Sequence, residues 1–135
     1  VFTSAGPASA GSIEAALTSK KYVLGVDSDQ ALAYEGKDEQ QFIISSALKR
    51  VDNSLVFAVE RLFNDELKFN THEVLGAKED GVGIAENEIY TSKVNEDIRK
   101  KMDEVKAQLV DGKITVKSAI GMNEADLKSI INSAK

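Results

Sequence analysis

Short runs of apolar residues alternate along this chain with segments whose apolar residues recur at helical spacing. Residues 1–6 have the pattern of a buried strand that ends in a small-residue loop, and residues 22–26 form a second, continuously apolar strand. Between them, Ile13, Ala16 and Leu17 share one helical face. A strand that is apolar at every position is typical of a parallel sheet covered on both faces. Strand, helix and strand in this order predict a right-handed β-α-β unit and an α/β fold.

The middle of the chain predicts a loop, a long helix and a hairpin. Residues 31–41 are mostly polar and favour a loop. Ser45 or Ser46 can cap a helix over about residues 45–65, because a serine hydroxyl accepts a hydrogen bond from a free N–H at a helix start. The apolar stripe of that helix consists of Leu48, Val51, Leu55, Ala58, Val59 and Leu62. Residues 73–77 and 82–85 flank an Asp-Gly turn, which predicts a β-hairpin.

Two helices are predicted in the last third of the chain. Asn95 can cap a helix that ends at Gly112, since glycine readily adopts the left-handed conformation that closes a helix. Residues 114–116 have the composition of a short strand, and Asn123 begins a final helix. The apolar faces of these two helices consist of Ile98, Met102, Val105 and Leu109, and of Leu127, Ile130 and Ile131.

Composition narrows the classes of function. The net charge is −5, and the 17 Lys and Arg residues are scattered among 22 acidic residues. Nucleic-acid binding needs a concentrated basic surface, so we expect no nucleic-acid partner. The chain has no cysteine, which excludes disulfides and thiolate metal sites within it, and its single histidine cannot form a multi-histidine site. We expect no metal and no cofactor, and we interpret His72 as an exposed turn residue.

Ligands of open α/β sheets bind at the carboxyl ends of parallel strands, where loops and helix starts converge. Two segments qualify here, the loop at residues 5–11 and the polar segment at residues 27–30. The loop lacks the Gly-Lys-Ser/Thr ending of a P-loop and the Gly-x-Gly-x-x-Gly spacing of a dinucleotide site. Its glycines and other small residues instead allow close approach of the backbone to a ligand.

Asp27 and Asp29 admit several interpretations. A calcium loop of the EF-hand type needs glycine at its sixth position, where Leu32 stands. A phosphotransferase with an aspartyl nucleophile would continue Asp-x-Asp-x-Thr, but the fifth position is Ala31; this enzyme is the alternative from a different class. A carboxylate at a strand end can also accept charge-assisted hydrogen bonds from the vicinal hydroxyls of a sugar. The residues alone equally allow both aspartates to lie in a solvated turn.

Lys49 and Arg50 fall in the first turn or so of the predicted long helix. The helix macrodipole disfavours cations there, by a few tenths to about 1 kcal/mol. The placement therefore indicates a role other than helix stability. The ammonium of Lys49 can donate to ligand oxygens or neutralise a carboxylate such as Asp27, whereas a solvated pair is the alternative, above all for Arg50.

Several segments together resemble one known family. Residues 22–30 (Tyr-Val-Leu-Gly-Val-Asp-Ser-Asp-Gln) are similar to its Tyr-Val-Ile-Gly-Val-Asp-Ser-Asp-Gln signature, and residues 45–52 to its Thr/Ser-Ser-x-x-Lys-Arg-Val-Asp segment. Residues 75–85 resemble its Leu-Gly-Leu-Lys-x-Gly-Gly-Val-Gly-Leu segment, and residues 1–13 its first strand, small-residue loop and helix. The family is that of basic membrane proteins, or purine-nucleoside-binding lipoproteins, which serve as substrate-binding proteins of ABC transporters.

The resemblance implies a type I periplasmic-binding-protein fold, in which two Rossmann-like α/β lobes close on a ligand. Members are not enzymes; they deliver purine nucleosides to an ABC permease from the extracytoplasmic face of the cell membrane, where a lipid on an N-terminal cysteine anchors them. The family's ribose-binding aspartate falls on Asp27 and its ligand-binding lysine on Lys49. Gly6 is expected to approach the ligand through its backbone.

The resemblance covers residues 1–117 and implies an incomplete domain. We expect residues 1–117 to be the carboxyl-terminal portion of the two-lobed domain, the helix at about residues 45–65 to belong to the other lobe, and residues 118–135 to be a helical extension. Pro7 and Asp80 depart from glycines of the family pattern. The chain is thus expected to be a fragment whose partners are the missing amino-terminal half or a second copy. A binding protein or sensor of the same fold for a sugar or another solute is the alternative.

Overall fold

The computed structural model describes residues 1–133 of the 135-residue chain. Within them, three strands form one sheet in the order β1 (Val23–Asp27), β2 (Ile43–Lys49), β3 (Val82–Ile84), with β1 and β2 parallel and β2 and β3 antiparallel. The α-helices of this part of the chain are α1 (Ser9–Ser19), α2 (Gln30–Ala33), α3 (Val51–Phe63), α4 (Glu88–Lys93), α5 (Glu96–Val110) and α6 (Glu124–Ser133). The predicted α/β class is confirmed.

Residues 1–3 lie beside β1 and run parallel to it, but they are too short to form a strand. Phe2 forms a single parallel bridge with Leu24, and the Leu24 N–H donates to the Val1 carbonyl at 2.8 Å. A short 3-10 turn, Gly6–Ala8, then leads directly into α1. The predicted order of strand, helix and strand is therefore present, with the first strand reduced to one bridge and the helix beginning earlier than expected.

The core lies on one face of the sheet, between β1, β2 and the first two helices. It consists of Ile13, Ala16, Val23, Ala31 and Ile43, with Tyr34, Phe42 and Ile89 packed against it. Burial of an isoleucine side chain stabilises a fold by about 1.5–3 kcal/mol, so this cluster holds α1 and α2 against the sheet.

The opposite face of the sheet is covered less completely. Leu24 points to that face and is 38% exposed, whereas its neighbour Val23 is 2% exposed. A cavity of about 220 Å³ separates Leu24 from Tyr90 of α4 and Met102 of α5. The expectation that β1 is buried on both faces is therefore wrong, because α4 and α5 do not fill the space above it.

Residues 43–49 form a strand, although the sequence predicted that a helix begins at Ser45 or Ser46. Both serines are buried in β2. Ser46 Oγ accepts from the Gln30 N–H at 3.0 Å, and Ser45 Oγ donates to the Ala85 carbonyl at 2.7 Å. These hydroxyls satisfy backbone groups of neighbouring segments instead of capping a helix, because pairing with β1 already uses the backbone of β2.

The helix that follows, α3, begins at Val51 and ends at Phe63, near the predicted end. None of its residues, all of which the structure describes, is buried. Its exposed apolar residues are Val51, Leu55, Val56, Val59, Leu62 and Phe63. That α3 belongs to another lobe remains a prediction.

The predicted hairpin is wrong as well. Residues 82–84 form β3, but they pair with β2 and not with residues 73–77. Residues 76–81 form a turn in which the Gly81 N–H donates to the Gly76 carbonyl at 2.9 Å. The Arg50 N–H donates to the Gly81 carbonyl at 2.9 Å, so the contact of this segment with the β2 side of the chain extends to the residue before β3.

Two short helices were not predicted from the sequence, and one predicted strand is missing. α2 lies inside the predicted loop and is capped by Asp29, and α4 is capped by Asn87. Residues 114–116, which the structure describes, form no strand. Helices of four and six residues present too few apolar repeats for a periodicity to appear.

The boundaries of the last two helices agree with the prediction. The Asn95 side chain caps α5, Gly112 has a φ of 70° just after that helix, and Asn123 Oδ1 accepts from the Asp126 N–H at 2.9 Å at the start of α6. Among residues 1–133, no helix is both long and apolar enough to cross a membrane.

Candidate functional site

Asp27 and Lys49 lie together at the carboxyl ends of two adjacent parallel strands. Asp27 is the last residue of β1 and is in register with Leu48, the penultimate residue of β2. Lys49 is the last residue of β2, and its Nζ lies 3.8 Å from Asp27 Oδ1. The expected position of Lys49 in the first turn of a helix is therefore wrong, because the segment is a strand. The pair instead meets at the sheet edge where ligands of such folds bind.

The backbone at Asp27 has an unusual conformation. Its φ is 72°, in the left-handed region that a non-glycine residue seldom occupies. The Ser28 N–H donates to the Val26 carbonyl at 3.0 Å and closes a tight turn centred on Asp27. Such a conformation costs about 1–3 kcal/mol and is concentrated at ligand clamps and active sites. It turns the chain sharply at the point where β1 ends.

The side chains of Asp27 and Lys49 retain hydrogen-bonding capacity for a ligand. The two side chains are 52% and 68% exposed, and 3.8 Å is longer than a hydrogen bond. An ion pair of this exposure contributes only about 0–1 kcal/mol, so stability alone does not account for it. A hydroxyl oxygen placed beside the pair could donate to the carboxylate and accept from the ammonium at once.

The pair borders a cavity of about 470 Å³ between the strand ends and α5, which we name the rim cavity. One wall is apolar and is formed by Met102, Val105 and Leu109 of α5. The remaining lining residues are Val26, Asp27, Ala47, Leu48, Lys49, Ala77, Val82, Gly83, Ile84, Glu86, Asp103 and Lys106. A mostly apolar cavity of a few hundred Å³ with a few polar groups is the usual form of a small-molecule site.

Carboxylates outnumber ammonium groups around the rim cavity. Asp27, Glu86 and Asp103 face Lys49 and Lys106, so three negative charges are set against two positive ones. Such a balance suits a neutral ligand with many hydroxyls better than an anion, because an added negative charge would lie near an excess of carboxylates.

Gly6 lies apart from this arrangement. Among the described residues 1–133, those that line the rim cavity do not include Gly6. Its φ is 53°, and a Cβ added there would contact nothing within 4 Å. The turn conformation accounts for glycine at this position. The structure thus brings Asp27 and Lys49 together and leaves Gly6 in the turn before α1, so its expected approach to a ligand remains a prediction.

Asp29 has a different environment from Asp27, although the two are close in sequence. Asp29 Oδ1 accepts from the Ala31 N–H at 3.2 Å, which caps α2. Asn87 Nδ2 donates to Asp29 Oδ1 and Oδ2 at 3.0 and 2.9 Å. Asp29 is therefore occupied by protein partners, and the local sequence contained no sign of a partner 58 residues away.

Arg50 also has protein partners. Its guanidinium lies 3.5 Å from Asp52 and 3.5 Å from Asp80, and Asn53 Nδ2 donates to Asp80 Oδ2 at 2.8 Å. The backbone N–H of Asn53 lowers the pKa of Asp52, and Arg50 adds to this effect. The cluster ties the start of α3 to the turn before β3, so Arg50 supports the fold beside the site.

His72 is exposed, as predicted. Over residues 1–133 the structure contains no group of three or more histidine, aspartate or glutamate side chains that could hold a metal ion.

A carboxylate and an ammonium lie at the tips of parallel strands beside an apolar cavity, at the edge of the sheet where ligands of α/β folds bind. The chain belongs to the family described as "Bmp: ABC transporter substrate-binding protein PnrA-like", which matches residues 1–117. The resemblance inferred from the sequence is confirmed. The family is one of substrate-binding proteins and not of enzymes, which argues against the aspartyl phosphotransferase alternative.

Curated relatives agree with this assignment. Basic membrane protein D of Borreliella burgdorferi (strain JD1) is 34% identical over 106 residues, which cover 76% of this chain and 29% of that protein. The CD4+ T-cell-stimulating antigen of Listeria monocytogenes is 33% identical over 100 residues, which cover 70% of this chain and 27% of that protein. The chain thus spans little more than a quarter of the length of these relatives.

Solved structures show the same fold. ABC transporter system solute-binding proteins from Aeropyrum pernix K1 match with a TM-score of 0.73 and 21% identity, over 97% of this chain and 43% of that chain. A transcriptional activator of the comK gene from Bacillus halodurans matches with a TM-score of 0.69 and 16% identity, over 86% of this chain and 38% of that chain. At these identities the likeness establishes a partial lobe of the periplasmic-binding-protein type.

Proposed function

We propose that this chain is the carboxyl-terminal portion of an extracytoplasmic solute-binding protein that captures purine nucleosides for an ABC permease. The observation that carries the proposal is the Asp27–Lys49 pair, 3.8 Å apart at the border of the rim cavity. Family membership supports the general role, since the family consists of ABC-transporter substrate-binding proteins. The nucleoside is the specific part of the proposal.

The ribose would lie against Asp27 and Lys49. Vicinal hydroxyls of the sugar donate to the two oxygens of the Asp27 carboxylate, and the Lys49 ammonium donates to a ribose oxygen. Hydrogen bonds that involve a charged group contribute about 1.5–3 kcal/mol each. The left-handed backbone at Asp27 supports this role, because residues with such strain are concentrated where ligands are held.

The base would be recognised mainly by the amino-terminal lobe, which lies outside this chain. The apolar wall of α5, formed by Met102, Val105 and Leu109, would close one side of the cleft against the ligand. Capture would then be selection and stabilisation of a closed form by a ligand that contacts both lobes, with no covalent bond made or broken.

The arrangement of the remaining chain supports a two-lobed parent protein. Six apolar residues of α3, from Val51 to Phe63, are exposed and form the surface that a second lobe would cover. We propose that residues 1–117 form part of the two-lobed domain, that α3 packs on the other lobe, and that residues 118–135 are a helical extension. A second copy of the chain is the alternative cover for α3. The parent would be held outside the cell membrane by a lipid on an N-terminal cysteine.

Calorimetric titration of the full-length protein with inosine, guanosine and ribose tests the proposal. We expect both nucleosides to bind more tightly than ribose, because ribose lacks the base contacts. Replacement of Asp27 by alanine should weaken nucleoside binding by at least about 1.5–3 kcal/mol, the contribution of a hydrogen bond to a charged group. Nucleoside affinity equal to wild type in the Asp27→Ala variant would show that the site assignment is wrong.

A binding protein for another sugar-containing solute is the second candidate. It is favoured by the carboxylates and ammonium groups that line the rim cavity, since such groups suit the hydroxyls of any sugar. Ribose binding as tight as inosine binding in the same titration would support this candidate over the nucleoside.

A further inference from the structure

The bond between Asp29 and Asn87 joins the starts of two helices. Asp29 caps α2 and Asn87 caps α4, where Asn87 Oδ1 accepts from the Tyr90 N–H at 2.9 Å. The two side chains also contact each other, since Asn87 Nδ2 donates to Asp29 Oδ1 at 3.0 Å and to Asp29 Oδ2 at 2.9 Å. Both residues are half-buried. One connection thus spans from the segment after β1 to the segment after β3.

A second connection holds the same segment from the other side. The Gln30 N–H donates to Ser46 Oγ at 3.0 Å, and Gln30 Nε2 donates to the Val26 carbonyl at 3.1 Å. Gly25 makes this possible, because a Cβ there would lie 2.5 Å from Gln30 Cγ and 2.6 Å from Ser46 Oγ. Gln30 therefore packs directly on the backbone of β1.

These two connections hold the chain just after Asp27, the residue with the strained backbone. β1 pairs with β2 as far as Asp27 and fixes the chain before the turn, and the bonds of Asp29 and Gln30 fix the chain again from two residues after Asp27. Between them the chain can bridge the gap through the turn that places Asp27 at a φ of 72°. Without the bond to Asn87, the segment after Asp27 is held only through Gln30, so the backbone at Asp27 could relax toward the extended region.

We propose that Asp29 and Asn87 are positioning residues for the ligand-binding site. Their bond keeps Asp27 in the left-handed conformation that sets its carboxylate beside Lys49 and the rim cavity. The carboxylate of Asp29 is used by this bond. Of the two aspartates, only Asp27 therefore has a carboxylate available for a ligand. Asn87 also directly follows Glu86, a lining residue of the rim cavity, so the same bond fixes that side of the opening. The binding part of this inference rests on the proposed function.

An exchange of the two side chains tests the proposal. Asn87→Asp places a carboxylate against the Asp29 carboxylate and removes the donor between them. Asp29→Asn combined with Asn87→Asp restores an amide facing a carboxylate, retains an acceptor for each helix cap and keeps the wild-type charge. Asn95→Asp is the matched control, since Asn95 caps α5 with an oxygen that aspartate retains.

Nucleoside affinity of the full-length protein is the first measurement. If Asp27 relaxes in the unbound variant, only a fraction of the molecules has the conformation that binds, and the affinity falls in proportion to that fraction. For strain of the size expected at Asp27, the loss is about 5- to 150-fold. We expect a loss in this range for Asn87→Asp, affinity within about threefold of wild type for the exchanged pair (a factor that corresponds to under 1 kcal/mol), and no change for Asn95→Asp. Equal losses in Asn87→Asp and in the exchanged pair would refute the proposal, as would unchanged affinity in Asn87→Asp.

The backbone of Asp27 is the second measurement and requires no ligand. The three-bond coupling between the amide and α protons of Asp27 depends on φ, so NMR reports its conformation directly. We expect the coupling to change in Asn87→Asp and to return in the exchanged pair; an unchanged coupling in Asn87→Asp contradicts the proposal. If the wild-type protein binds no nucleoside, the proposed function fails while this measurement still decides the positioning role. Should Asn87→Asp fail to fold, Asn87→Ser keeps a capping oxygen, loses the amide, and is expected to change the coupling in the same way.

Discussion

Gly25 lies in the middle of β1, where the structure leaves no room for a side chain. A Cβ built on Gly25 would lie 2.5 Å from Gln30 Cγ, 2.6 Å from Ser46 Oγ and 2.8 Å from Gln30 Cβ. All three distances are far below van der Waals contact, so Gly25→Ala forces Gln30 and Ser46 to move. The close approach explains why a residue that weakens strands stands at this position.

The expected cost can be worked out from these contacts. Overpacking of a filled site costs about 1–3 kcal/mol. Displacement of Gln30 also breaks its N–H bond to Ser46 Oγ, which contributes about 0.5–1.5 kcal/mol. The gain from replacing a flexible glycine offsets about 0.4–1 kcal/mol of this. We therefore expect Gly25→Ala to lower the free energy of unfolding by about 0.5–4 kcal/mol, the net of these three ranges.

Gly83 offers a matched control in the same sheet. It lies in β3, and a Cβ there would contact nothing within 4 Å. Gly83→Ala should therefore leave stability unchanged or raise it by up to about 1 kcal/mol. Urea unfolding of both variants, followed by circular dichroism, compares the midpoints at equal slope. If Gly25→Ala were no more destabilising than Gly83→Ala, the close packing of Gln30 on β1 would be refuted.

Two further predictions concern charge. Burial raises the pKa of Tyr90 above its ordinary value of 10.0, and the carboxylates of Glu86 and Asp103 add to the rise. The unfolded chain releases this proton near pH 10 while the folded chain retains it, so the free energy of unfolding should fall as the pH rises from about 10 through the folded-state pKa. Tyr90→Phe should remove that part of the fall, as measured by urea midpoints between pH 8 and 11, and an identical alkaline profile would contradict it. Separately, inosine 5′-monophosphate should bind at least about tenfold more weakly than inosine, because its charge adds to the excess of carboxylates around the rim cavity; equal affinity in a competition titration at low salt would contradict this charge argument.

Several features of this protein could be predicted from local sequence because local interactions cause them. β1 follows from its run of apolar and β-branched residues, and the ends of α5 and α6 follow from Asn95, Gly112 and Asn123. A capping side chain satisfies N–H groups within three residues of itself, so no distant partner is needed. The family also follows from the sequence, since its signature at residues 22–30 is contiguous.

The formation of β2 and the pairing of β3 depend on contacts between distant segments. The segment Ile-Ile-Ser-Ser-Ala-Leu-Lys suits a strand or a helix about equally, and pairing with β1 settles the choice. In the same way β3 pairs with β2 and not with its neighbour in sequence. Because strand pairing satisfies backbone groups between segments far apart in the chain, local composition does not determine it.

The same distinction applies to the candidate site: the residue types could be read from the sequence, and their distances could not. That Asp27 and Lys49 could serve a ligand was inferred from their residue types, but their 3.8 Å separation depends on the register of two strands. The Asp29–Asn87 bond depends on contacts across 58 residues, and three residues of the apolar face of α5 line the rim cavity. Local sequence accounts for the class of fold, for both ends of α5 and the start of α6, and for the residues capable of binding. The packing of distant segments decided which of those residues meet, since a side chain's partners are set by the space around it.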